Sequence, residues 1–201
     1  MDQKKLRAGE ILKMNNNIVI YLMRHGLDDE SFVGGWSEGS LIETGIKQVE
    51  KATDFIMQNI DDIDTIYHSG LKRSIESARI INEALSLPVY PLDDIKELNK
   101  GKLNGMDVIK AKKIYPDYFP NPSVDQKYPD GESLRDLYNR INIFLGNIDN
   151  YDKALLVTHR GFINMLYFIL NNIEINYDKS QFNVAHGSIH KLELEKISRI
   201  Y

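Results

Sequence analysis

Apolar and polar positions along the 201-residue chain fall into two alternating kinds of segment. The runs 18–23 and 154–158 are short and largely apolar, which is typical of buried strands in a parallel sheet, and the β-branched residues of 63–68 predict a further strand. Each is followed by a segment whose apolar residues recur every three or four positions, which predicts an amphipathic helix. The alternation predicts a single α/β domain with a mainly parallel central sheet.

Polar residues indicate where the predicted helices begin. Thr44 is suited to cap the first helix, and the second is predicted from Ser74 to Leu85. Ser133 and Asp136 resemble a capping box at the start of a third helix. A further, very apolar helix is predicted from Phe162 to Leu170.

Two weaker patterns complete the predicted sheet. Residues 88–90 predict a short third strand, and the period-two alternation over 189–194 predicts an edge strand. Residues 1–17 are interpreted as an N-terminal extension, so the predicted domain covers residues 18–201.

Composition narrows the class of protein. A hydrophobic content of 42% and a charged content of 27% are typical of a folded globular chain. The formal net charge of −4 gives no support for a nucleic-acid partner. Absence of cysteine excludes disulfides and thiolate metal sites and fits a cytoplasmic location. No apolar run approaches the roughly 20 residues that cross a bilayer, so no membrane partner is expected.

Two histidines follow predicted buried strands. Arg24 and His25 follow the first strand, and His159 follows the strand 154–158. The carboxyl ends of parallel strands meet at one edge of a sheet, where open α/β folds bind their ligands. A single histidine in such a place is more often structural, but two buried imidazoles without polar partners would be costly. The pair therefore favours a functional crevice.

Arg73 and Glu97 add to this picture. Arg73 lies between the second strand and its helix, where a helix N-terminus and a guanidinium both favour phosphate oxygens. Glu97 lies in the turn-rich loop 94–105. Taken alone, each is also compatible with an ordinary surface residue.

As an ordered set, these segments resemble the motifs of the histidine phosphatase superfamily, also called the phosphoglycerate mutase-like family. The resemblance runs from about residue 18 to about residue 194 and implies a three-layer sandwich of the phosphoglycerate mutase-like type. The matching segments are Arg24-His25-Gly26, Gly35-Trp36 with Leu41 to Gly45, Ser69 to Arg73 with Ser77-Ala78, Glu97 with Gly101 and Gly105, Asp130 to Ser133, and Val157 to Gly161.

The resemblance implies a metal-independent phosphatase that hydrolyses a phosphate monoester through a phosphohistidine. His25 would be the nucleophile, and Glu97 would serve as general acid and then general base. Arg24, Arg73 and His159 would bind the phosphoryl oxygens. No metal or cofactor is required, and the expected partner is a small phosphorylated metabolite. Since the attacking nitrogen must be unprotonated, the other N–H of His25 is expected to donate to a backbone carbonyl.

Some positions depart from the family pattern. Asp28 and Ser31 stand where the family often has Thr and Asn, and Arg160 stands where it often has Gly. Ser31, Gly35 and Arg160 are candidate substrate contacts. Asp28 would repel phosphate if it pointed inwards, so it is expected to point outwards or to contact another substrate group. These departures concern the substrate more than the mechanism.

Other functions are weighed against hydrolysis. Mutases of the family carry a long insertion with arginines, whereas the interval 98–158 is short and its only arginines are Arg135 and Arg140. A non-catalytic phosphate-binding regulatory module would not need His25 and Glu97. A dinucleotide-binding Rossmann domain is excluded because no Gly-x-Gly-x-x-Gly follows the first strand.

The interval between the acid loop and the capping box has two interpretations. Residues 98–132 contain lysines, aromatic residues and prolines, and form a candidate substrate lid. The alternative is a solvated amphipathic helix followed by an ordinary packed loop. The sequence leaves the oligomeric state open.

Overall fold

The computed structural model describes residues 18–194 and 196–201. The predicted N-terminal extension, residues 1–17, lies outside the described residues. The regular elements in chain order are β1 (Val19–Arg24), α1 (Glu43–Asn59), β2 (Thr65–His68), α2 (Lys72–Leu85), β3 (Val89–Pro91), α3 (Val108–Ile114), α4 (Leu134–Leu145), β4 (Ala154–Thr158), α5 (Arg160–Leu170), β5 (Ile189–Glu193) and β6 (Lys196–Arg199).

One six-stranded sheet with the order β3-β2-β4-β1-β5-β6 lies at the centre of the fold. The first four strands in this order are parallel, whereas β5 and β6 pair antiparallel. The predicted mainly parallel sheet is therefore confirmed. Arg24 at the end of β1 lies opposite Thr158 at the end of β4, so the residues that follow both strands emerge at one edge of the sheet.

Helices cover both faces of this sheet and give three layers, as predicted. On β1, Ile20 and Leu22 face a core formed with α4 and α5. Tyr21 and Met23 alternate with them and face a second core formed with α1 and α2. Because strand side chains alternate with period two, a continuous apolar strand supplies both cores at once. Complete burial of one such side chain contributes roughly 1.5–3 kcal/mol.

The helix starts agree with the sequence in one case and differ in another. Ser133 and Asp136 form the predicted capping box at the start of α4. Helix α1 begins at Glu43 after Ile42, which has no side-chain cap, so the prediction that Thr44 caps this helix is wrong. The carbonyl of Ile42 already accepts the N–H of Ile46, and Thr44 therefore lies within the first turn.

The predicted edge strand is a second correction. Strand β5 pairs with β1 on one side and with β6 on the other, so β6 is the edge. Strand β6 has four residues, of which only Ile197 is buried, and such a segment has too little periodicity to be recognised. Among the helices of the described segments, none combines the length and apolar character needed to cross a bilayer.

Candidate active site

The loop after β1 fixes the ring of His25. Its Nδ1 lies 2.7 Å from the carbonyl oxygen of Gly26. A carbonyl can only accept, so Nδ1 carries the proton and Nε2 presents its lone pair. The expected backbone partner is therefore confirmed. Burial lowers the pKa of His25 well below its usual value, and the charges of His159 and Arg73 add to this effect. The imidazole is neutral at pH 7.

Close packing of glycines places this loop against α1. A Cβ on Gly26 would lie 2.3 Å from the carbonyl oxygen of Gly45, and one on Gly45 would lie 2.1 Å from that of Leu27. No larger residue fits at either position without moving backbone. The close approach holds His25 at a fixed distance from the start of α1.

The guanidinium of Arg73 is buried and held by backbone acceptors. Its Nη2 donates to the carbonyl of Gly35 (2.7 Å), and its Nη1 donates to the carbonyl of Ser37 (3.0 Å). Gly35 has a φ of +80°, a left-handed conformation that favours glycine. These contacts leave Nε directed at Nε2 of His25, at 3.1 Å.

Arg24 is held from the opposite side by the segment before β5. Its Nη1 donates to the carbonyl of Val184 (2.8 Å), and its Nη2 contacts Nε2 of His186. Its Nε is buried without a hydrogen-bond partner among the described residues. Burial lowers the pKa of Arg24 to about 10, helped by repulsion from Arg160, so the group stays a cation at neutral pH. The sequence did not single out His186, which lies in a segment with no helix or strand pattern.

His159 lies fully buried beside His25, with ring centroids 4.9 Å apart. Its Nε2 is 2.7 Å from Oγ of Ser69, and this hydroxyl also accepts the N–H of Leu71. The arrangement fits a tautomer of His159 in which Nε2 accepts the hydroxyl proton of Ser69 and Nδ1 carries the ring proton. Nδ1 is buried without a partner among the described atoms. Burial and the charge of Arg73 lower the pKa of His159 well below its usual value.

Both carboxylate oxygens of Glu97 accept backbone hydrogen bonds. Oε1 accepts the N–H of Leu98 (2.8 Å), and Oε2 accepts that of Gly161 (3.1 Å). Burial raises the pKa of Glu97, but the positive neighbours and these two donors outweigh it and lower the pKa to about 2. The carboxyl is therefore ionised before substrate binds. A Cβ on Gly161 would lie 2.0 Å from Oε1, so a larger residue here would displace the Glu97 carboxylate.

A clamp formed by Arg140 and Glu132 anchors the acid loop. Arg140 donates from Nε and Nη2 to the two carboxylate oxygens of Glu132, at 2.9 and 3.0 Å. It also donates to the carbonyl oxygens of Asp94 (2.8 Å), Lys96 (2.9 Å) and Glu97 (3.1 Å). The sequence placed Arg140 only on a predicted helix, because nothing in its spacing reveals a distant backbone partner.

Asp28 lies inside the site. Its Oδ2 is 3.5 Å from Nε of Arg73, and Asp28 bridges to the backbone of Leu41. Of the two alternatives expected for Asp28, the outward direction is therefore wrong, because its carboxylate lies beside the Arg73 guanidinium and lines the cavity, and a contact with another substrate group stays a prediction. Burial raises the pKa of Asp28, while the charge of Arg73 acts in the opposite direction.

Most of these groups line one cavity of about 450 Å³. Arg24, His25, Arg73 and Glu97 line it, whereas His159, fully buried next to His25, is not among the lining residues. Of the candidate substrate contacts, Gly35 and Arg160 line the cavity. Ser31 is not part of the lining, since its exposed N–H donates to the carboxylate of Asp29. The candidate lid contributes part of the wall through Lys100, Leu103, Tyr118, Phe119, Pro120, Asn121 and Tyr128.

Donor atoms of His25, Asp28 and His186 lie within 4.8 Å of one another, a spacing that metal ions use. Arg73 already donates to Nε2 of His25, and Arg24 contacts Nε2 of His186. Two guanidinium charges at the same nitrogens oppose a divalent cation and favour an anion. The donor set therefore fits an oxyanion better than a metal.

Comparison with known proteins agrees with this chemistry. The sequence profile of the histidine phosphatase superfamily (branch 1) matches residues 20–199. The uncharacterized phosphatase PhoE of Bacillus subtilis (strain 168) is 32% identical over 153 residues, which are 73% of this chain and 74% of PhoE. The fructose-2,6-bisphosphatase of Saccharomyces cerevisiae is 28% identical over 163 residues. That match covers 77% of this chain, which spans about a third (34%) of the yeast protein.

Solved structures show the same fold. The native structure of a mycobacterial glucosyl-3-phosphoglycerate phosphatase superposes with a TM-score of 0.72. The superposition covers 90% of this chain and 95% of the mycobacterial one, at 19% identity. At this identity the likeness concerns the fold alone.

Proposed function

Because the chain belongs to the histidine phosphatase superfamily, we propose that it hydrolyses a small phosphate monoester by way of a phosphoryl group on His25. Its relatives include phosphatases, which supports hydrolase activity. One observation carries the finer proposal. The lone pair of the neutral His25 ring accepts from Arg73, while Nε of Arg24 and Nδ1 of His159 lie buried nearby with no hydrogen-bond partner in the described part of the chain.

In the first step Nε2 of His25 attacks phosphorus as the ester P–O bond breaks. The Nε–H of Arg73, which donates to this nitrogen in the free protein, donates instead to a phosphoryl oxygen once the substrate is bound, and Arg73 stays protonated. Arg24 and His159 supply the other donors. Their hydrogen bonds form only when an oxyanion is present, so they stabilise charge at the transferring group.

Glu97 carries the proton in both steps. It is ionised in the free protein, and a phosphate dianion beside it raises its proton affinity. The proton enters with a monoanionic substrate or from solvent, and Glu97 then gives it to the leaving oxygen. In the second step Glu97 accepts a proton from water as the water oxygen attacks phosphorus. The P–N bond breaks, and orthophosphate leaves with His25 restored.

Hydrolysis of p-nitrophenyl phosphate in EDTA tests the activity, and trapping tests the intermediate. We expect turnover in the wild type and a loss of about 10⁴-fold or more in His25→Asn, as for removal of a catalytic nucleophile. Brief mixing of Glu97→Gln with labelled substrate should leave label on His25 in an acid-labile, base-stable linkage.

His159→Asn is the matched control, because the rings of His25 and His159 both belong to the site and only that of His25 is proposed to accept the phosphoryl group. It should lose about 10²–10³-fold in rate, as for one oxyanion donor, and still carry label on His25. Label on His159 or on a hydroxyl residue would refute the assigned nucleophile. Phosphate binding without turnover of any monoester would instead favour a regulatory module.

A further inference from the structure

Three cations that the proposed chemistry does not use line the cavity. Lys100 comes from the acid loop, Arg160 from the start of α5, and Lys179 from the segment between α5 and β5. Within residues 18–194 and 196–201 none of the three forms an ion pair with a carboxylate. Each is therefore available to an anion that enters the cavity.

The three charges are close enough to affect one another. Burial lowers the pKa of Lys100 to about 8, and the charges of Lys179 and Arg160 contribute. Burial and Arg160 likewise lower the pKa of Lys179, although Glu97 and Glu30 act in the opposite direction. Glu97 is already held by two backbone donors, and Glu30 is exposed. Asp29 and Asp178 also line the cavity, but they accept the N–H groups of Ser31 and Ser180. Among the described residues, no carboxylate lies within 4.0 Å of the three cationic groups.

Lys100 lies next to the residues that hold the phosphoryl site. The side chain of Lys100 crosses the backbone at Gly35, where its Cγ is 3.2 Å from the position of an added Cβ. Gly35 is the residue whose carbonyl holds Arg73, so Lys100 lies immediately outside the phosphoryl end. A cavity of about 450 Å³ falls in the range of pockets that enclose whole small molecules, which leaves room beyond one phosphoryl group.

We propose that Lys100, Arg160 and Lys179 form a second anion subsite, so that the preferred substrates carry a further phosphate or carboxylate besides the phosphoryl group that is transferred. The inference rests on the proposed function, since it concerns the organic part of the same substrate. Each charge-assisted contact is expected to strengthen binding about tenfold.

Matched pairs of inhibitors test the subsite. Inhibition constants against p-nitrophenyl phosphate turnover are measured for 3-phosphoglycerate and glycerol 3-phosphate, and for glucose 1,6-bisphosphate and glucose 6-phosphate. The member with the second anion should bind at least tenfold more tightly in each pair. Lys100→Met and Lys179→Met should each reduce this preference about tenfold, and Lys179→Glu should reduce it further.

The control is Lys113→Met, an exposed lysine on α3 that does not line the cavity and should keep the full preference. A ratio of two inhibition constants does not depend on the fraction of folded protein, so partial misfolding of a variant leaves the readout valid. Equal constants within the pairs, or a preference unchanged in both lysine variants, would overturn the subsite.

The two proposals fail in different ways. Absence of turnover of p-nitrophenyl phosphate would count against the phosphatase, and the pairs are then compared by calorimetric titration of the wild type and Lys179→Met. Turnover with no preference for the second anion would count against the subsite alone.

Discussion

The inner end of the cavity and its outer wall are built in opposite ways. At the inner end Arg24 ends β1, His25 follows it directly and Arg73 lies in the first turn of α2, and backbone carbonyls hold each of them. At the outer wall Lys100 and Lys179 lie on connecting segments and form no ion pair in the described part of the chain. We therefore expect phosphoryl binding to depend mainly on the sheet and its helices, and the choice of substrate to depend more on the connecting segments.

The first prediction concerns the inner end, where we expect the strongest fall in kcat. Gly161→Ala places a methyl group 2.0 Å from Oε1 of Glu97, so the carboxylate must leave its two backbone donors. We expect kcat for an alkyl phosphate to fall about 10²-fold or more, the usual contribution of a general acid or base. The loss should be smaller for p-nitrophenyl phosphate, whose leaving group needs no proton.

Gly146→Ala is the matched control. Gly146 ends α4 in a right-handed helical conformation, which alanine also adopts. Steady-state kinetics should show wild-type kcat for both esters. An equal loss of kcat for alkyl and aryl esters in Gly161→Ala would contradict the assignment of Glu97 as the acid.

At the outer wall we expect a change of about tenfold in the preference for a second anion. Burial lowers the pKa of Lys100 to about 8. The positive charges of Lys179, Arg160 and Arg73 contribute to this shift, and the negative charge of Glu97 opposes it. A lysine with a lowered pKa is charged below that value and neutral above it. The preference for a second anion should therefore be complete at pH 7 and decline as the pH rises through about 8.

The measurement is the ratio of inhibition constants for glucose 1,6-bisphosphate and glucose 6-phosphate between pH 6.5 and 9.5. In Lys100→Met the ratio should be lower and flat across pH 8. A wild-type ratio that stays constant to pH 9.5 would show that Lys100 does not contribute.

The last prediction concerns Asp28, which lies where the inner end and the outer wall meet, and here we expect the weakest change. Asp28 competes with phosphate for Arg73, at 3.5 Å from its Nε. In Asp28→Asn that competition ends, and orthophosphate should inhibit about threefold to tenfold more strongly, as expected for one partly screened charge. Asp29→Asn removes an exposed charge from the neighbouring position and should change the inhibition constant less. Weaker inhibition in Asp28→Asn would show that Asp28 helps to bind the oxyanion.

The inner end could be predicted from sequence because local patterns determine it. Continuous apolar runs predicted β1 and β4, and His25 and His159 come directly after them. Parallel pairing then brings both imidazoles to one edge without further information. The capping box of α4 is equally local and was recognised from two residues.

The outer wall could be predicted only in part. The sequence indicated Arg160 as a candidate substrate contact and residues 98–132 as a candidate lid, but it did not indicate Lys179 or His186. Lys179 and His186 lie between α5 and β5, where neither period two nor period 3.6 indicates which residues face inwards. Their positions depend on how that segment packs across the end of the sheet. The inward direction of Asp28 has the same origin, since a single backbone bridge to Leu41 sets it.

The clamp between Arg140 and the acid loop has a consequence for engineering. The Arg140 guanidinium binds the backbone carbonyls of Asp94, Lys96 and Glu97 and the carboxylate of Glu132, and so ties residues 94–97 to helix α4. A chimera that imports a new acid loop must import α4 with it. Exchange of the loop by itself would put at risk the three hydrogen bonds from Arg140 to the loop and would change the position of Glu97.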